Sequence, residues 1–193
     1  MYNKVMRILL GAPGVGKGSV ARYFSTEYIH LSPGELIRKT LEKDSSLLKK
    51  INQGNMLVEE VNMIVQKFIL DNDVSRILLD GYPRVLDQAN FLSQSGLKIQ
   101  KTFLLHAPKS LLEERILHRT ICQACQTSFI GQNICCGHQT LHREDDNLNV
   151  YQRRFDTYMD NIQGILNILK GPIYFIDASK PLSDVIQEVR NYW

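Results

Sequence analysis

The stretch Gly11-Ala12-Pro13-Gly14-Val15-Gly16-Lys17-Gly18-Ser19 constrains this chain more than any other, because it follows an apolar run and opens onto a helical one. Val5 to Leu10 has strand character and Ser19 to Phe24 can start a helix, so the order is strand, glycine loop, helix. In that order successive backbone N–H groups curl around phosphate oxygens, and the positive end of the helix dipole faces the anion. Gly14, Gly16 and Gly18 are expected to allow left-handed backbone and close approach to a ligand. The strict phosphate-loop pattern has Ser or Thr directly after the lysine, whereas here Gly18 intervenes and the hydroxyl arrives at Ser19.

Further along, Ile29 to Leu31 reads as a short strand, and Ser32-Pro33-Gly34-Glu35 as a helix start, with Ser32 at the N-cap and Pro33 at the first helical position. Helical patterns run from Leu36 to Lys43, Ser46 to Gln53 and Glu59 to Leu70, with a break at Gly54. Arg76 to Asp80 is a buried strand ending in a carboxylate, and Gly81-Tyr82-Pro83-Arg84 turns into a helix through Leu92. A strand from Thr102 to His106, a helix from Pro108 to about Arg119, a helix from about Asn147 to Leu169, a strand from Ile173 to Asp177 and a helix from Leu182 complete the pattern. Strands alternating with helices predict an α/β fold, a parallel sheet with helices on both faces. Ligands of such folds bind at the carboxyl ends of the strands, where the glycine loop and the Asp80 turn both lie.

Partner classes follow from charge and hydropathy. A formal net charge of +3 over 193 residues is too small to argue for nucleic acid, and no apolar run is long enough to cross a bilayer. The glycine loop begins too early to leave room for a signal peptide before it, so a cytoplasmic protein is expected. All four cysteines fall between Cys122 and Cys136, a cluster that in such a compartment reads as metal ligands before disulfides. Cys122-Gln-Ala-Cys125 and Cys135-Cys136-Gly137-His138 have the shape of two knuckles, and Cys122, Cys125, Cys135 and His138 would close a tetrahedral, structural zinc site, with Cys136 competing with Cys135. Free thiols in a segment held by packing are the alternative. A zinc ribbon for nucleic acid is disfavoured, since Gln123 to Gly137 contains no Lys or Arg.

Five stretches in order, Gly11 to Ser19, Leu31 to Arg38, Leu79 to Arg84 with Gln88, Arg143 to Asp146, and Ile176 to Pro181, make the chain resemble the adenylate kinase family from about Val5 to Val189. That family's loop has the same glycine between lysine and hydroxyl. The resemblance implies a core of residues 1–31, 62–119 and 144–193, a nucleoside-monophosphate lobe over 32–61 and a lid over 120–143, with ATP and AMP as substrates, Mg²⁺ as cofactor, a structural Zn²⁺ in the lid, and a monomer that engages neither nucleic acid nor membrane.

On that resemblance Lys17, Arg84, Arg119, Arg143 and Arg154 are the expected catalytic cations, which suits a transfer that needs positioning and charge neutralisation. Gly14, Val15, Gly16, Lys17, Gly18, Ser19, Arg115, Arg119, Ser128, Phe129 and Lys180 are expected to hold ATP. Pro33, Arg38, Leu57, Gly81, Arg84, Gln88, Arg143 and Arg154 are expected to hold AMP. Ser19 and Asp80 are expected to serve Mg²⁺ through its water shell, although Asp80 also reads as a strand-end cap. A glutamine amide matches the paired donor and acceptor edge of adenine, which points to Gln88 as the base reader, while a solvated helix face is the plainer reading. Asp145 and Asp146 either tie the lid to the first lobe or cap the next helix. Pro33 stands where the family has Thr, and Tyr82 where it has Phe. The first of these leaves a UMP, CMP or GMP kinase as the alternative, followed by a nucleotide-hydrolysing switch and a non-catalytic nucleotide-binding protein.

Overall fold

The structure, a computed structural model, describes residues 5–40, 50, 53, 57–72, 75–125, 127–143 and 145–193, with the backbone alone for residues 38–40. Of the expected helix from Ser46 to Gln53 only Lys50 and Gln53 are described, and Gly54 lies outside the described residues.

Five parallel strands form the central sheet: β1 (Val5–Gly11), β2 (Ile29–Leu31), β3 (Arg76–Asp80), β4 (Lys98–His106) and β9 (Ile173–Asp177), in the order β2-β3-β1-β4-β9. Both faces are covered, which is why the strands read as near-continuous apolar runs. Along β1 the alternation is resolved: Met6, Ile8 and Leu10 join one buried cluster and Leu9 the other. Helices α1 (Lys17–Tyr23), α5 (Lys109–Leu117) and α7 (Leu182–Asn191) cover the Leu9 face through Val20, Phe24, Leu112, Val185 and Val189. Helices α3 (Val58–Asp71) and α4 (Leu86–Gln94) cover the other through Val65, Ile69, Ala89 and Leu92. The long helix α6 (Leu148–Ile168) serves both, with Tyr151 in the first cluster and Ile165 in the second.

Arg7 also points into the Leu9 face and is 7% exposed. Its guanidinium lies between the rings of Tyr28 (4.5 Å) and Trp193 (4.2 Å), and Nε donates to Gln100 Oε1 at 3.0 Å. Trp193 in turn stacks on Phe24 at 3.8 Å and donates its indole N–H to Glu27. Aromatic faces thus offset the desolvation of this charge, far from the carboxyl ends of the strands.

Helix α2 (Pro33–Thr40) starts where the sequence places it, with the Leu36 N–H donating to the Ser32 carbonyl at 2.9 Å. The helix expected to reach Arg119 stops at Leu117, and Arg119 instead begins strand β5 (Arg119–Cys122). Strands β5, β6 (Ser128–Ile130), β7 (Ile134–Cys135) and β8 (His138–His142) form an antiparallel sheet in the order β6-β5-β8-β7. Cysteine spacing hides these short strands from periodicity, because turn and ligand residues interrupt each alternation. No helix among the described residues is long and apolar enough to cross a membrane.

Candidate active site at the carboxyl ends of the sheet

Backbone geometry explains the glycine loop in detail. Gly11 has φ +145° and a Cβ there would lie 2.4 Å from the Leu105 carbonyl oxygen; at Gly14, with φ +84°, it would lie 2.9 Å from that of Leu112. The loop therefore packs against β4 and α5 only because side chains are absent. Gly18 differs from the expectation: it lies inside α1, and a Cβ there would sit at an ordinary 3.6 Å from Asp80 Oδ2. Its place is set by closeness to the acidic strand end, with no left-handed turn required.

Lys17 folds back over the loop, donating to the carbonyls of Gly11 (2.8 Å) and Ala12 (3.0 Å). Burial lowers its ammonium to about 8; Asp80 opposes the shift, while Arg84 and Arg119 add to it. Asp80 is buried at the end of β3, in register with Leu9 just before the loop. His30 Nε2 stands 3.0 Å from Asp80 Oδ2. That contact joins β2 to the site, and sequence reasoning missed it because residues fifty positions apart leave no local pattern.

Arg84 follows in the turn after β3, where its Nε donates to the Gly81 carbonyl at 2.7 Å. Burial, with Arg154 close by, pushes the guanidinium down to about 10. Gln88 is 2% exposed, which excludes the solvated-face reading, and its Oε1 accepts the Arg84 backbone N–H at 2.8 Å.

Three arginines meet two buried carboxylates. Arg119 makes a bidentate pair with Asp146, and Arg143 donates Nε and Nη2 to Asp145 at 2.9 and 2.8 Å. Arg154 reaches the same Asp145 oxygen at 2.7 Å. Asn147 caps α6, its side chain accepting the Val150 N–H at 3.0 Å. The N-cap of α6 is therefore Asn147, while Asp145 and Asp146 hold the arginines, because buried guanidiniums need a counter-charge. Burial also lowers the Arg143 guanidinium, with Arg119 adding to the effect.

Lys17, Asp80, Arg84, Arg119, Arg143 and Arg154 line one cavity of about 490 Å³. The structure brings Gly14, Val15, Gly16, Lys17, Gly18, Ser19, Asp80, Gly81, Arg84, Arg115, Arg119, Ser128, Phe129, Arg143, Arg154 and Lys180 to it. Arg115 is fixed there by donation to the Ala178 carbonyl at 2.9 Å. Pro33, Leu57 and Gln88 are buried and are absent from the cavity's lining, and the Arg38 side chain lies outside the described residues. Ser32, Glu35, Pro83, Thr157, Tyr158 and Ile162 also line it. The α6 members among them carried a legible signal, since Thr157 and Tyr158 lie one turn beyond Arg154.

In the antiparallel sheet the sulfurs of Cys122, Cys125, Cys135 and Cys136 all lie within 4.8 Å of one another. Cys125 and Cys135 are 3.6 Å apart, and Cys135 and Cys136 3.7 Å. His138, the fourth ligand expected from spacing, is outside this cluster and Cys136 takes its place. The reason is a two-residue hairpin turn: Cys135 pairs with His138, and Cys136 (φ +52°) and Gly137 (φ +76°) form the turn between them. The second knuckle consequently offers adjacent residues. Tetrahedral thiolates around zinc stand about 3.8 Å apart, given Zn–S of about 2.3 Å, so the cluster fits that ion.

Comparison with known proteins agrees with this arrangement. The sequence model of the family described as adenylate kinase matches residues 9–172. An adenylate kinase of Clostridium kluyveri is 30% identical, the match covering 95% of each chain. One from Clostridium perfringens is 28% identical over 94% of this chain and 95% of its own length, and one from Mesomycoplasma hyopneumoniae 28% identical over 96% of both. With a family match spanning most of the sheet and the cavity at its carboxyl edge, this chain belongs to the adenylate kinase family.

Proposed function

We propose that this protein transfers the terminal phosphoryl group of ATP to AMP, reversibly, giving two ADP. The observation that carries the reading is the convergence of Lys17, Arg84, Arg119, Arg143 and Arg154 on the cavity that the glycine loop borders. Phosphoryl transfer leaves little covalent work for the protein and depends on placing two anions in line and neutralising them. The loop amides and Lys17 hold the donor phosphates, with Arg115, Arg119, Ser128, Phe129 and Lys180 on the ATP side. Arg84 holds the acceptor phosphate, and Arg143 and Arg154 lie between the two nucleotides. As phosphates enter, the arginines exchange Asp145 and Asp146 for phosphate oxygens. Enclosure by the lid sheet keeps water from competing with AMP for the phosphoryl group.

The Ser19 hydroxyl and the Asp80 carboxylate line the cavity beside the loop and offer the oxygen donors that Mg²⁺ prefers. Bound with ATP, the ion neutralises phosphate charge; the protein's part is to fix the hydroxyl and carboxylate that meet its water shell. In the lid, Cys122, Cys125, Cys135 and Cys136 form the set that would hold Zn²⁺, a closed structural site. Contacts with Thr127 lower the Cys125 thiol to about 6, while burial and the neighbouring sulfurs push the Cys135 thiol up to about 12, so a metal would have to displace protons on binding. AMP as acceptor rests on the family match; the Gln88 side chain is held by the Arg84 N–H, which its Oε1 accepts, beside the expected acceptor phosphate site. Family resemblance favours a cytoplasmic monomer.

The test is ADP formation from ATP with AMP, UMP, CMP and GMP supplied separately. AMP-dependent ADP is expected. ADP that forms at the same rate without any monophosphate would refute the transfer reading, and faster transfer to a pyrimidine or to GMP would replace AMP as the acceptor.

A further inference from the structure

The turn between β3 and α4 carries two side chains with opposite surroundings. Arg84 lines the cavity, held by its bond to the Gly81 carbonyl. Tyr82, two residues earlier, is 1% exposed and packs in the apolar cluster that contains Leu31, Val65, Ile69 and Leu79. Its hydroxyl donates to Asn62 Oδ1 at 2.6 Å. Asn62 stands in the second turn of α3, the helix that leads out of the segment expected to form the monophosphate lobe. A phenylalanine here would fill the same apolar socket. Packing therefore does not need the hydroxyl. A buried phenol without an acceptor costs free energy, so the pairing with Asn62 is a specific feature of this interior.

We propose that the Tyr82–Asn62 hydrogen bond couples α3 to the turn that carries Arg84, making Tyr82 a positioning residue for the acceptor phosphate. Displacement of α3 as the lobe engages its ligand is then passed through Asn62 and Tyr82 to Gly81 and Arg84. Without the bond the turn and the helix move independently, and Arg84 meets the acceptor phosphate less often in the right place. Assigning that phosphate to AMP rests on the function proposed above; the mechanical coupling does not.

Michaelis constants for AMP and ATP, determined separately for Tyr82→Phe, Asn62→Ala, Asn62→Asp and the Tyr82→Phe/Asn62→Ala pair, test the proposal. Tyr82→Phe and Asn62→Ala should each raise KM for AMP about three- to tenfold, the size of one net hydrogen bond, and leave KM for ATP within about twofold. The double variant should be no worse than either single one, and Asn62→Asp, which keeps an acceptor, should stay near the parent. An unchanged KM for AMP in Tyr82→Phe, equal shifts for both nucleotides, or effects that multiply in the double variant would each overturn it. Amide hydrogen exchange of the empty protein adds a readout that needs no acceptor. Tyr82→Phe should speed exchange at residues 58–62 and 81–85 together, and unchanged exchange at 58–62 would overturn the coupling whatever the assays give. Coupled exchange in a protein that does not use AMP would leave the coupling standing and remove only the acceptor assignment.

Discussion

At Lys17, burial and phosphate chemistry pull in opposite directions. The ammonium lies well below its ordinary value in the empty site, held there by desolvation and by neighbouring arginines. Nucleotide phosphates would restore it, since an opposite charge favours the charged form. ATP binding at about pH 9 should therefore take up close to one proton, and at about pH 7 almost none. Calorimetry in two buffers of different ionisation enthalpy reads this directly; no uptake at the higher pH would contradict it. The same shift has a stability sign. Between about 8 and the ordinary lysine value the unfolded chain binds more protons at Lys17, so this residue's contribution to stability rises with pH across that window. Replacing Lys17 by Met should cut turnover about a hundredfold or more while the fold survives. His30→Ala, which frees one oxygen of Asp80, should raise the Mg²⁺ concentration needed for half-maximal rate a few-fold; an unchanged Mg²⁺ dependence would show that Asp80 needs no such support.

At the scale of elements, the segment from β8 into α6 is where sequence and structure diverge most instructively. Asp145 and Asp146 look like caps because they precede a helix, yet Asn147 caps it and the two carboxylates neutralise Arg119, Arg143 and Arg154. Local sequence cannot distinguish these roles, since Arg119 arrives from β5 and Arg154 from within α6, and only Arg143 is a sequence neighbour. Asp145→Asn should destabilise the empty protein by about 3 kcal/mol, the scale for breaking a buried pair. The loss should shrink when ATP and AMP analogues occupy the cavity, because phosphates then supply the counter-charge. Equal losses in melting temperature with and without ligand would contradict this exchange of partners. The antiparallel sheet shows a similar limit. Cysteine spacing signals a metal site, but choosing Cys136 over His138 requires the hairpin turn, which pairs Cys135 with His138. Cys136→Ser should release zinc and lower the melting temperature, whereas His138→Ala should retain both; the reverse pattern would restore the ligand set expected from spacing alone.

For the whole molecule, the parallel sheet was legible because each buried strand is an apolar run bounded by turn residues, and its alternation with helices admits few arrangements. The carboxyl-edge location of the site follows from the same pattern, and the loop, Asp80, Arg84 and Arg154 converge there. Tertiary placement alone reveals the support: His30 against Asp80, Tyr82 against Asn62, and Arg7 between Tyr28 and Trp193 at the opposite edge of the sheet. Trp193→Ala should lower stability by about 3 kcal/mol and leave both Michaelis constants unchanged, since it uncovers Arg7 without touching the cavity. The convergence of Lys17, Arg84, Arg119, Arg143 and Arg154 on the cavity makes the central claim a matter of where one phosphoryl group goes. ATP labelled at its γ-phosphorus, incubated with AMP and this protein, should yield ADP labelled at its β-phosphorus, and Arg84→Ala should suppress that product by orders of magnitude. Label recovered as inorganic phosphate, at a rate indifferent to AMP and to Arg84, would contradict the account.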